Sequence, residues 1–108
     1  MMIAVALSAE FLARARAVGM TEAEIDAAVN IVAANPTGGV SLGAGLYKVR
    51  VPRQGGGKSG GYRIVTLYVG VDTPVVLLSV LSKSGAANFS DRAMNAMKDE
   101  ARRIRTDR

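Results

Sequence analysis

Between Leu46 and Arg53 the chain reads Leu-Tyr-Lys-Val-Arg-Val-Pro-Arg, and from Tyr62 to Val69 it reads Tyr-Arg-Ile-Val-Thr-Leu-Tyr-Val. Successive side chains of a strand point to opposite faces. The first run therefore sets Lys48 and Arg50 on one face and Tyr47, Val49 and Val51 on the other. The second run is β-branched and aromatic, and Gln54–Gly61 between them holds five glycines, which suits a hairpin connection. An isolated hairpin is marginal in water, so the rest of the chain must supply more strands and an apolar cover.

The remaining segments supply both. Val75 to Ser82 is a continuous apolar run of the kind found in a central strand, reached through Gly70-Val-Asp-Thr-Pro74. Ile3 to Leu7 reads as a short strand buried on both faces. Ser8 then caps a helix with Phe11, Leu12, Ala15 and Val18 in one stripe, and Gly19 ends it. Thr21-Glu-Ala-Glu24 has capping-box spacing, in which the Thr hydroxyl and the Glu carboxylate satisfy each other's orphan backbone donors. Ile25, Val29 and Val32 continue that helix, and Asn35-Pro36 stops it, because a residue before proline is pushed out of the α region. Thr37 to Gly45 carries four glycines and reads as a loop. Ser90 and Asp91 open a last helix, with Met94, Met97, Ala101 and Ile104 on one face. The expected fold is α+β: two N-terminal helices packed on a three- to four-stranded, mainly antiparallel sheet, followed by a C-terminal helix.

Residues 1–108 read as one domain, long enough to bury roughly two thirds of its unfolded surface. With no cysteine and no histidine, disulfides, thiolate chemistry and the usual zinc and copper ligands are excluded. Asp72 and Asp91 are too isolated to make a metal site, and no cofactor motif is present. The apolar start lacks a basic residue before it, unlike a signal peptide, and no run reaches the ~18 apolar residues of a membrane span. The default location is the cytoplasm.

The charge is lopsided. The net charge is +5 and no Asp or Glu occurs between Asp26 and Asp72, an interval that holds Lys48, Arg50, Arg53, Lys58 and Arg63. Solvated cations on the wet face of a sheet are ordinary, but an indifferent surface mixes signs, and this one does not. Gripping an anionic polymer is the natural use, with nucleic acid the first candidate. Gly57-Lys58-Ser59 superficially suggests an NTPase phosphate loop. Position 52 is Pro where that motif needs Gly, and a strand follows instead of a helix, so it fails. Arg102, Arg103 and Arg105 are diluted by Asp99, Glu100 and Asp107 and read as a solvated helix end. Met94, Met97, Tyr47, Tyr62 and Tyr68 read as packing residues.

Asn35-Pro36, the Gly-rich segment after it, Gly45-Leu-Tyr-Lys-Val-Arg50, Gly57-Lys-Ser-Gly-Gly-Tyr-Arg63 and an apolar strand ending in Lys83 together resemble the RelE/HigB-like toxins of bacterial type II toxin–antitoxin systems. The resemblance spans most of the chain. It implies the RelE-like fold, a ribosome-dependent endoribonuclease that cuts mRNA, and a cognate antitoxin, acidic or of helix-turn-helix type and encoded alongside. It places Lys48, Arg50, Lys58 and Arg63 around the scissile phosphate and Lys83 after the last strand; Arg53, from the same run of cations, is a further RNA-binding candidate. Phe89 lies near where some relatives carry a Tyr that stacks on a base or aids proton transfer; stacking survives in Phe, proton transfer does not.

The chemistry is consistent with those residue types. RNA brings its own nucleophile, the 2′-hydroxyl, so an enzyme must orient it, take its proton, neutralise charge on phosphorus and protonate the leaving oxygen. Arg50 and Arg63 suit the phosphate, since a guanidinium donates two parallel bonds to phosphate oxygens. A lysine serves as base where its ammonium is disfavoured, and a neighbouring cation acts in that direction. Lys48 is the candidate base and Lys83 the candidate acid. The competing expectation is a protein of the same fold that cuts nothing, similar to the ParE gyrase inhibitors.

Overall fold

The computed structural model describes residues 3–52, 61–70, 72–82 and 91–106. In chain order these form β1 (Val5–Leu7), α1 (Ala9–Ala17), α2 (Glu22–Ala34), β2 (Val40–Gly43), β3 (Leu46–Val51), β4 (Tyr62–Leu67), β5 (Val75–Ser82) and α3 (Asp91–Thr106). The five strands make one sheet in the order β1-β5-β4-β3-β2. β2, β3, β4 and β5 pair antiparallel with their neighbours, and β1 pairs parallel with β5. The α+β expectation holds, with five strands in place of three or four. Among the described residues no helix is long and apolar enough to cross a membrane.

Both N-terminal helices begin as their capping residues dictate. The Ser8 hydroxyl accepts from the Phe11 amide at 3.0 Å. The Thr21 hydroxyl accepts from the Glu24 amide at 3.1 Å, while the Glu24 carboxylate accepts from the Thr21 amide at 2.9 Å, completing the capping box. A cap of this kind contributes about 1 kcal/mol. α2 ends at Ala34, ahead of Pro36. In α1 the buried positions are Phe11 and Ala15; Leu12, expected in the same stripe, is exposed because a nine-residue helix on a flat sheet buries a narrow strip.

The sheet separates two apolar clusters. α1 and α2 cover one face, where Phe11, Ala15, Ala28 and Val32 meet Val51, Tyr62, Ile64, Leu77 and Val80. α3 lies on the other, where Met97 and Ala101 meet Leu46, Val65, Leu67 and Leu78, with Met94 packed alongside. Each fully buried Val, Leu, Ile or Phe contributes roughly 1.5–3 kcal/mol relative to exposure, so the alternation of β3 and β4 translates directly into two layers. The expected Ser90 cap of α3 lies outside the described residues. Arg102 and Arg103 pair with Asp99 and Glu100 one turn back, on the exposed side, as a solvated helix end should.

Two expectations are corrected. Thr37–Gly45 is not simply a loop: Val40–Gly43 is an edge strand paired with β3, Val40 opposite Lys48 and Ser41 opposite Tyr47. The glycines that read as irregular are what allow the pairing. A Cβ on Gly39 would sit 2.3 Å from the Lys48 carbonyl oxygen, so only glycine lets the backbone come this close. β1, in turn, is not buried on both faces but is a half-buried edge strand. Its three residues are too few to extend along the whole of β5, and α1 begins where the pairing stops.

Candidate nucleic-acid interface

The β3–β4 register decides where the cations stand. Arg50 lies directly opposite Arg63, and Lys48 opposite Val65. Residues facing each other across antiparallel strands point to the same side, so Lys48, Arg50 and Arg63 share one face. Directly opposed Cβ atoms are about 4.5–5.5 Å apart, and the Lys48–Arg63 diagonal is about 7–8 Å. On that face the register neighbours of the three are Val40, Val65 and Leu81, none of them acidic. Lys48 and Arg63 are half-buried and Arg50 is exposed. Like charges directly opposed cost a sheet stability, and a phosphate bound between them would offset that cost. Flat spacing, three donors and a neutral floor suit successive oxygens of a phosphodiester.

Beneath the platform the other face is locked. Val49 and Val51 pack into the α1/α2 core, as alternation requires. Tyr62, one residue before Arg63, is 1% exposed, and its hydroxyl donates to the Glu24 carboxylate at 3.2 Å. Glu24 is itself 5% exposed. One carboxylate thus caps α2 and anchors the start of β4. Sequence spacing identifies the capping role of Glu24; the tie to Tyr62, 38 residues away, leaves no local signal.

Of the seven residues expected at the site, the structure brings Lys48, Arg50 and Arg63 together. Arg53, Lys58, Lys83 and Phe89 lie outside the described residues. Among the described residues no group of three or more Asp, Glu, His or Cys is placed to hold a metal ion.

Residues 4–107 match the family model described as the RelE toxin of the RelE/RelB toxin–antitoxin system. The chain belongs to the RelE toxin family. That match takes in every described strand and helix. No curated protein matches the chain significantly. Family membership makes this a toxin of a toxin–antitoxin system, and with it implies a RelB-like antitoxin as partner. In this RelE-family chain Lys48, Arg50 and Arg63 stand on one face of β3 and β4.

Proposed function

We propose that this RelE-family toxin is a ribosome-dependent mRNA endoribonuclease acting in the cytoplasm without a metal or cofactor. The observation that carries the reading is the direct opposition of Arg50 and Arg63 with Lys48 on the same face. The two guanidiniums hold the non-bridging oxygens of the scissile phosphate. Lys48 takes the proton of the 2′-hydroxyl, which attacks phosphorus; the bond to the 5′-oxygen breaks, and Lys83 returns a proton to that oxygen. A 2′,3′-cyclic phosphate and a 5′-hydroxyl result. Arg53, Lys58 and Phe89 bind the RNA, Phe89 by stacking. The antitoxin, acidic or of helix-turn-helix type, silences the toxin by covering the platform or by keeping it from the ribosome.

Primer extension on mRNA, with and without ribosomes, tests this. Discrete cuts within codons are expected with the wild type, and none with Lys48→Ala or Arg63→Ala at unchanged folding. Unchanged growth inhibition in either variant would refute the site. The absent hydroxyl at Phe89 favours one second reading, a ParE-like toxin that binds gyrase or another protein and cuts nothing. A DNA-damage response without RNA cuts would select it.

A further inference from the structure

The face that carries Lys48, Arg50 and Arg63 continues past β4. On β5, Leu81 lies opposite Arg63 and Ser79 opposite Val65, so both look out on the cation side. A bulge sets this parity. Val65 pairs with Ser79 but Thr66 pairs with Leu77, leaving Leu78 as the extra residue. Before the bulge Val75 and Leu77 enter the α1/α2 core; after it Val80 does. In a regular strand Ser79 would share the face of Leu77, and Val80 would take its place beside the cations. Ser8 holds the bulge: its amide donates to the Leu77 carbonyl and its hydroxyl to the Leu78 carbonyl, each at 3.1 Å.

Ser79 thereby joins the floor of a cleft of about 720 Å³ between the start of α1, β5 and α3. Leu81 and Met97 make apolar walls, and Arg92 stands at the rim. The volume falls in the range of small-molecule sites. Ser79 is 6% exposed, and among the described residues no hydrogen bond to its hydroxyl is seen. From Arg63 to Ser79 is one diagonal step of the sheet, about 7–8 Å, within the reach of a single nucleotide. The rim acids Glu10 and Glu100 are each paired with an arginine, Arg14 and Arg103, so they do not repel a passing phosphate.

Resting on the endoribonuclease reading, we propose that this cleft receives the nucleobase adjacent to the phosphate held by the platform. The ring lies against Leu81 and Met97, its edge bonds to Ser79 Oγ, and Arg92 meets the next phosphate. A hydroxyl both donates and accepts, so it suits a base edge of either polarity while still ranking bases by fit. RNA is favoured over a protein segment because Leu81, which lines the cleft, lies directly opposite Arg63 of the cation face.

The test uses the full chain on ribosome-bound mRNA, with cut sites mapped by primer extension. Ser79→Ala is expected to redistribute cutting among sites by about three- to tenfold, the worth of one hydrogen bond. Ala96→Trp fills the cleft from an exposed position on α3, and is expected to raise KM for RNA about tenfold at an unchanged unfolding midpoint. Should Ser79→Ala fail to fold, Ala96→Trp decides. Cut sites and KM within about twofold of wild type would overturn the proposal and leave the nuclease reading intact. Unchanged cutting with lost antitoxin binding would assign the cleft to the protein partner and overturn it equally. A wild type that cuts no RNA overturns both.

Discussion

Replacing Arg63 with Gln is expected to stabilise the free protein while abolishing RNA cleavage. Arg63 lies directly opposite Arg50 and diagonal to Lys48. Measured cross-strand pairs are worth about 0.2–1 kcal/mol, with like charges unfavourable. Coulomb's law for two unit charges about 7 Å apart gives about 0.6 kcal/mol in bulk water, and long side chains splay to reduce the repulsion further. Relief of about 0.5–1 kcal/mol follows. At about 4–8 °C per kcal/mol for a domain near this size, the unfolding midpoint rises by about 2–8 °C in low salt. Screening shortens from about 30 Å at 0.01 M to about 3 Å at 1 M, so the gain must shrink at high salt. Gln keeps part of the half-buried aliphatic stem, which limits the packing loss. The assay is thermal unfolding by circular dichroism at both ionic strengths, with primer extension on the same preparations. A variant that unfolds at lower temperature than wild type in low salt, or that cuts RNA as well as wild type, would refute the reasoning. A merely solvated strand face predicts the same stability gain with cutting unchanged.

Two further substitutions probe the supports of the platform. Glu24→Ala removes both the capping acceptor and the carboxylate that accepts from the buried Tyr62 hydroxyl, costing about 2–4 kcal/mol from the two terms together. Its unfolding midpoint should fall by about 8 °C or more, and adding Tyr62→Phe should recover part of that loss; strictly additive losses would show that the two groups are not coupled. Gly39→Ala puts a methyl against the Lys48 carbonyl, where the neighbour is backbone and cannot yield, so about 1–3 kcal/mol is lost and cutting slows. Gly38→Ala meets chiefly the side-chain end of Asn35 and should be milder; equal midpoints for the two variants would contradict the close approach.

Where structure follows from local chemistry, the sequence predicts it well. The capping box at Thr21, the stop before Pro36 and the alternation of Leu46–Val51 each depend on residues within one turn or one strand, and each appears where expected. Lys48 and Arg50 share a face by period-2 geometry alone. Their convergence with Arg63 needs the hairpin register, which the Gly-rich connection does not state but the alternation makes probable, since a one-residue slip would turn Tyr62 and Ile64 out of the core. Failures occur where a distant contact overrides a local signal. Glycine at 38, 39, 43 and 45 lowers strand propensity, yet Gly39 is the residue whose missing side chain admits β2 beside Lys48. A three-residue apolar strand gives no hint of whether it is central or at an edge.

The continuous apolar run of β5 is the instructive case, because it hides its parity. Val-Val-Leu-Leu-Ser-Val-Leu-Ser fits a strand buried on both faces in either phase, so nothing within it says whether Ser79 or Val80 looks toward the cations. The choice comes from Ser8, 70 residues earlier, whose hydroxyl takes the carbonyl of the bulged Leu78 while accepting the Phe11 amide that starts α1. One side chain thus fixes where the helix begins and which half of β5 faces the platform. The composition of that face follows: with the bulge it gains Ser79 and Leu81, a hydroxyl in an apolar floor beside three cations; without it, Val80 would bring no hydrogen-bonding group. The apolar side would gain a buried hydroxyl in exchange, which is unfavourable unless paired. Core packing and the proposed RNA face therefore demand the same register, so binding does not strain the fold at this edge of the sheet.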